Sequence, residues 1–231
     1  MPSSYSLYQM TLFPEIGVGE TISGSIQTVM DLAAYGIDDP PKTEFTLQRH
    51  IDDLDINVYR VFHETIVKRT GRAKGVTFSA FIENKLFPAY YHKGNKLLMV
   101  KTGKDTAQGA IRALKKVGLV DGERRDISLS SIKSLVEHFK GAWFSVDGSV
   151  DVSSQALFGP SVDRDLRFER ASAEGEMYYI RLDYLFGSEL IHIGVSDDSN
   201  IVIFDNNLDE HLELELVLDV KAKLLDPALD K

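Results

Sequence analysis

The chain has 231 residues, 43% of them hydrophobic and 26% charged, with no cysteine and a formal net charge of −9. This is room for one large domain or two small ones, with the composition of an ordinary folded chain. The missing cysteines exclude disulfides, thiolate nucleophiles, iron–sulfur clusters and cysteine-ligated zinc, and fit a reducing compartment. No apolar run approaches the roughly 20 residues that span a bilayer. The segment Met1 to Tyr5 has neither the charged nor the apolar part of a signal peptide, so the chain reads as cytoplasmic.

Charge is unevenly placed. Residues 68–125 hold 14 Lys and Arg against 4 Asp and Glu, whereas the rest of the chain holds 12 against 31. An acidic chain that gathers its cations in one stretch points to an anionic partner. The acidic ends read first as solvated surface, which aids solubility. A second reading lays the acidic C-terminal part against the basic block, within one chain or across a homo-oligomer.

In chain order, Tyr5–Phe13 reads as a strand ended by Pro14. Ile22, Ile26, Val29, Met30 and Ala33 recur at spacings of three and four, which predicts a helix over 21–35 with Gly36 as its stop. Residues 36–55 read as loop with a short helical turn. Asp38, Asp39, Glu44, Asp52, Asp53 and Asp55 fall there, at a spacing that matches no calcium loop. Ile56–Val67 is a strand by its β-branched and aromatic content. Lys68, Arg69, Arg72 and Lys74 follow with two glycines, and Val76–Ile82 alternates cleanly. Strand, glycine-containing loop and strand predict a hairpin with those four cations at its tip. Phe87–Tyr91 and Lys96–Val100 predict a second hairpin across Lys93, Gly94 and Asn95.

Lys101-Thr-Gly-Lys104 leads into a helix over 105–117. It buries Ala107, Ala110, Ile111, Leu114 and Val117, turns Lys104, Gln108, Arg112, Lys115 and Lys116 away, and stops at Gly118. Leu129, Ile132, Leu135, Val136 and Phe139 predict a helix over 128–140, with Trp143 and Phe144 beyond it as core. Residues 149–174 read as mostly irregular, a boundary or loop. Strands are predicted at Met177–Phe186, Leu190–Val195, Asn200–Phe204 and Leu212–Val220, the last from the alternation of Leu212, Leu214, Leu216 and Leu218.

The fold class expected is α+β: a mainly antiparallel sheet built from hairpins, with about three packing helices. Two lobes are expected, 1–148 with the basic hairpin and helix and 149–231 mainly β and acidic.

The chemistry expected is non-catalytic binding of nucleic acid. Lys68, Arg69, Arg72, Lys74, Lys93, Lys96, Lys101, Lys104, Arg112, Lys115 and Lys116 would neutralise phosphates and release counterions. Tyr90, Tyr91 and His92 would stack on bases if exposed. No helix-turn-helix, zinc-finger or RNP signature accompanies them, and no sequence feature calls for a cofactor. A strand, a glycine loop and a helix start at Lys101–Lys104 form a generic anion site, although the single glycine departs from the Walker pattern. An acidic protein partner, with this chain as a subunit of a larger defence or DNA-processing assembly, is the competing reading. A third comes from Asp205 ending one strand and Asp219-Val-Lys221 on a later one. This resembles the metal site of the PD-(D/E)xK nucleases, which implies a Mg²⁺ held by the two carboxylates and a lysine acting on water. The pattern departs from that family in lacking a Pro before Asp205 and in having Asp where Glu is commoner. His50, His63, His92, His138, His192 and His211 show no zinc-ligand spacing, and no serine-hydrolase elbow is present.

Overall fold

The computed structural model describes residues 2–25, 40–73, 75–146 and 153–229. The strands of the first half are β1 (Ser3–Leu12), β2 (Thr21–Ser25), β3 (Lys42–Ile51), β4 (Ile56–Val67), β5 (Gly71–Ala73), β6 (Val76–Phe78), β7 (Phe81–His92) and β8 (Leu97–Lys101). Helix α1 (Lys104–Lys116), strand β9 (Asp121–Glu123), the short α2 (Leu129–Ile132), β10 (Phe139–Ser145) and β11 (Ser154–Phe158) follow. Helix α3 (Leu166–Glu174), strands β12 (Met177–Phe186), β13 (Glu189–Ser196) and β14 (Asn200–Ile203), and helix α4 (Glu210–Val220) complete the order. Antiparallel sheet dominates and α-helices pack on it, so the chain is α+β. Among the described residues no helix is long and apolar enough to cross a membrane.

Two compact units emerge, Tyr8–Glu123 and Met1–Leu7 with Arg124–Lys231. In the first, the strand order is β1, β8, β7, β4, β3, β2, with β9 also paired to β1. Alternate residues of these strands, among them Phe45, Leu47, Tyr59, Val61, Ala89 and Leu98, point to one face. There they meet Ala107, Ala110, Ile111 and Leu114 of α1 in a single buried cluster. The small residues on α1 let it sit close. A Cβ on Gly24 of β2 would lie 2.8 Å from the Ala113 carbonyl oxygen, and one on Gly109 of α1 would lie 2.9 Å from His63 Nε2. In both places a bare Cα is what the approach requires.

In the second unit the order is β11, β10, β12, β13, β14, β1, antiparallel throughout. One face carries Tyr5, Phe139, Phe144, Ile180, Leu182 and Ile193, all buried. Phe168 of α3 sits 6.1 Å from Phe139 and 5.3 Å from Phe144, ring to ring. Helix α4 covers the same face, because its Glu213 and Asp219 accept hydrogen bonds from the Tyr5 and Tyr184 hydroxyls.

The structure corrects five expectations. Residues 21–25 are strand rather than helix, paired with β3 from Thr21↔Thr46 to Ser25↔Lys42; the rest of the expected 21–35 helix lies mostly outside the described residues. Residues 42–51 are strand rather than loop, with Thr43, Phe45 and Leu47 buried and Lys42, Glu44 and Thr46 turned out. The 128–140 helix shrinks to Leu129–Ile132, and Phe139 already belongs to β10. Its serines divert the backbone: Ser134 Oγ donates to the Ser131 carbonyl, and Ser131 Oγ to Ser128 Oγ, local bonds that compete with helix. Residues 212–220 are helix rather than strand. The irregular stretch expected over 149–174 contains β11 and α3, the latter capped by Asp165, whose carboxylate accepts from the Arg167 amide at 2.9 Å.

Candidate functional site

Strands β4 and β7 pair over twelve residues, from Ile56↔His92 to Val67↔Phe81. Their neighbours are shorter. Strand β3 accompanies β4 only from Ile56 to His63, and β8 accompanies β7 only from Ala89 to His92. Beyond Glu64 and Asn84, therefore, the described residues form a two-stranded ribbon with no third strand beside it. The ribbon ends in the small β5–β6 hairpin, whose register runs from Gly71↔Phe78 to Ala73↔Val76. Two contacts build that tip. The Phe78 ring occupies the space a Cβ on Gly71 would take, and it meets Phe81 edge-on at 6.0 Å. Gly75 turns the chain at a φ of +83° and accepts from Arg72 Nε at 3.4 Å.

Lys68, Arg69 and Arg72 are exposed at this end; Lys74 lies outside the described residues. Lys93 and Lys96 occupy the β7–β8 turn at the opposite end of the same ribbon. Twelve paired residues separate the two groups by roughly 36 Å. Neighbours in sequence, these cations are not neighbours in space.

A third group lies on α1. Lys104, Gln108, Arg112, Lys115 and Lys116 fall within one arc of about 120° on the helix surface. All but the half-buried Gln108 are exposed, while the opposite arc is buried. This outward face is the one expected from the spacing. It is not purely positive. Asp105 lies on it, and Lys115 pairs with Asp121 at 2.6 Å. Hydrogen bonds from Lys115 and then Thr11 hold the Asp121 carboxyl below the usual carboxylate range. The first turn of α1 reaches β7, where Lys85 Nζ donates to Thr106 Oγ1 at 3.2 Å and pairs with Glu83 at 3.4 Å. Lys101 closes β8 just before this helix.

Tyr90 is buried, and Tyr91 stacks on Phe13 at 4.4 Å. Both tyrosines thus belong to the packing of the sheet. His92 Nδ1 accepts from the Asn95 amide and so shapes the turn.

Asp205 accepts the His192 amide at 2.6 Å. Asp219 and Lys221 stand on or just past α4, not on a strand. Asp219 accepts from Tyr184 and pairs with Lys223 at 2.8 Å, and Lys221 pairs with Asp226 at 2.7 Å. No group of three or more acids and histidines among the described residues is placed to hold a metal ion.

Sequence reasoning passed over one cluster, because its members are far apart in the chain. Lys140, on β10, pairs with Asp183, on β12, at 3.1 Å; His192 Nδ1, on β13 directly opposite, bonds the same carboxylate. Burial pulls the Asp183 carboxyl up, but its bonds to Lys140 and His192 outweigh this and hold it down.

No protein-family model matches the chain, and a search of curated proteins finds no match.

Proposed function

We propose that this is a non-catalytic nucleic-acid-binding protein whose β4–β7 ribbon is the element that enters a groove. The observation that carries this reading is a two-stranded ribbon that leaves its sheet and presents Lys68, Arg69 and Arg72 at its end. A ribbon of two strands has the width of the B-DNA major groove, and cations along it neutralise phosphates and release counterions. The outward face of α1 supplies Lys104, Arg112, Lys115 and Lys116 for further backbone contacts. Lys93 and Lys96, at the far end of the ribbon, are left without a part in this contact.

Fluorescence anisotropy of labelled duplex DNA and duplex RNA, titrated at several salt concentrations, tests it. Each phosphate contact contributes about 0.9 to the log–log salt slope on B-DNA. Changing Lys68, Arg69 and Arg72 together to Glu is expected to flatten that slope by about 3 and to weaken binding more than about tenfold at low salt. The absence of binding by the parent protein at low salt would refute the proposal. So would a triple variant, folded by circular dichroism, that binds with the parent's affinity and salt slope.

A further inference from the structure

We infer that in the unit containing Arg124–Lys231 the sheet face turned away from α3 and α4 is a stacking platform for single-stranded nucleic acid; this deepens the proposed function and rests on it. The alternation of β10, β11, β12 and β13 puts one set of residues on that face. Trp143 stands opposite Tyr179 and Ala156, Gly141 opposite Phe158, Arg181 opposite Gly194, and Asp183 opposite His192. Three aromatic rings form a row, Phe158 to Trp143 and Trp143 to Tyr179, each pair 4.9 Å apart and edge to face.

Two glycines set the pose of these rings. A Cβ on Gly141 would lie 3.0 Å from Trp143 Cζ3, and one on Gly194 would collide with the Tyr179 hydroxyl. Each ring therefore reaches over a bare Cα, Trp143 with a ring edge and Tyr179 with its hydroxyl end; both stay half-buried, while Phe158 is 64% exposed. Unpaired bases stack on such rings whatever their sequence, since every base has a π face.

The face carries Arg181 and Lys140 against one carboxylate, Asp183. Arg181 lies over the Phe204 ring with its guanidinium carbon 4.1 Å from the centroid, a pose in which a guanidinium also stacks on a base. Lys140 and His192 border it, and the carboxylate between them, Asp183, already bonds both. A duplex hides its base faces and offers this platform nothing to stack on, so the ligand class is the unpaired strand.

Trp143 is the single tryptophan of the chain, so its emission reports on the platform directly. Oligothymidylate of about 12 nucleotides, within the span that one such sheet covers, is expected to quench it saturably. A duplex of equal length is expected to leave it unchanged. Tyr179→Ala is expected to weaken the oligothymidylate complex at least about fivefold, the low end for one lost stack, and Tyr179→Phe to restore it. The triple Glu variant of Lys68, Arg69 and Arg72 is expected to keep the quenching. Oligothymidylate that binds by anisotropy without moving Trp143 emission, or that binds Tyr179→Ala as tightly as the parent, overturns the platform and leaves the ribbon reading standing. Emission that shifts with protein concentration alone marks the face as a contact between copies of the chain and overturns it too. Binding of neither duplex nor oligothymidylate at low salt removes both readings.

Discussion

Acidification from about pH 6.5 to pH 4 is expected to remove up to about 3 kcal/mol of folding stability through one side chain, His63. It stands on β4 beneath α1 and is almost wholly buried. Its Nδ1 shares a hydrogen bond with Thr43 Oγ1 at 2.8 Å, while Nε2 faces Gly109 and has no hydrogen-bond partner among the described residues. Burial disfavours the imidazolium, the nearby Lys85 disfavours it further, and Glu64 opposes them weakly. The outcome is a pKa lowered from 6.5 to about 4. In the interval between those values the unfolded chain binds the proton and the folded chain does not. Stability therefore rises with pH there, is complete above 6.5, and is lost progressively as pH falls toward 4, with a slope of at most about 1.4 kcal/mol per pH unit. Urea unfolding at steps from pH 7 to pH 4 measures the loss, and His63→Gln should flatten the curve in that window. Titration of the His63 ring protons by NMR supplies the independent check; a midpoint near 6.5 in the folded protein would defeat the prediction. The proton would enter directly under the helix that carries Lys104, Arg112 and Lys116. Acid loosening is therefore expected first at α1, and weaker duplex binding with it.

What could be read from the residues was whatever one alternation or one stripe decides locally. Ile56–Val67 by its β-branched and aromatic content, α1 by its spacing, and the strands from Met177 to Ile203 are each kept by the structure. Thr43, Phe45 and Leu47 carried an equally plain alternation. It lies inside the stretch 36–55 that is expected to be loop. The 128–140 stripe failed for a different reason. Leu135 fits it but is 44% exposed, while Phe139 leaves it to pair with Leu182 and pack on Phe168, a partner 29 positions away. Gly24 is the clearest case of long-range control. As a helix residue it is a weak former, yet as a strand residue its bare Cα is what admits the Ala113 carbonyl of α1. The proposed surfaces divide in the same way. A cationic ribbon end and a cationic helix face were legible, because hairpin and helix are local. The distance between Lys93 and Arg69 was not, because ribbon length depends on the β4–β7 register. The row of Phe158, Trp143 and Tyr179 was legible still less, since three strands that meet only through pairing bring it together.

Replacing Glu213 by Ala is expected to destabilise the protein by about 1 to 3 kcal/mol, the cost of leaving a buried hydroxyl donor without its acceptor. Glu213 is buried in the first turn of α4, where its two oxygens accept from Tyr5 Oη at 2.5 Å and Ser3 Oγ at 2.8 Å. Both donors lie on β1, more than 200 residues earlier in the chain. The same residue explains why Leu212–Val220 is helical despite its period of two. The positions that matter are Glu213, Leu214, Leu216, Val217 and Val220, all buried, at spacings of three and four, while Leu212 is 39% exposed. Asp209 caps the start, its carboxylate accepting from the Leu212 amide at 2.9 Å, and the acids Glu210 and Glu213 favour the positive end of the helix dipole. A strand over these residues would turn Glu213 and Val217 to one side and Leu214 and Leu216 to the other. The helix buries all four and brings the carboxylate to Tyr5. Urea denaturation of Glu213→Ala, Tyr5→Phe and the double variant measures the coupling. The hydroxyl that Glu213→Ala strands is absent from the double variant, so the two losses should fall short of additive by at least about 1 kcal/mol. Additive losses, or a Glu213→Ala protein within about 0.5 kcal/mol of the parent, would show that α4 is held by its leucines and valines alone.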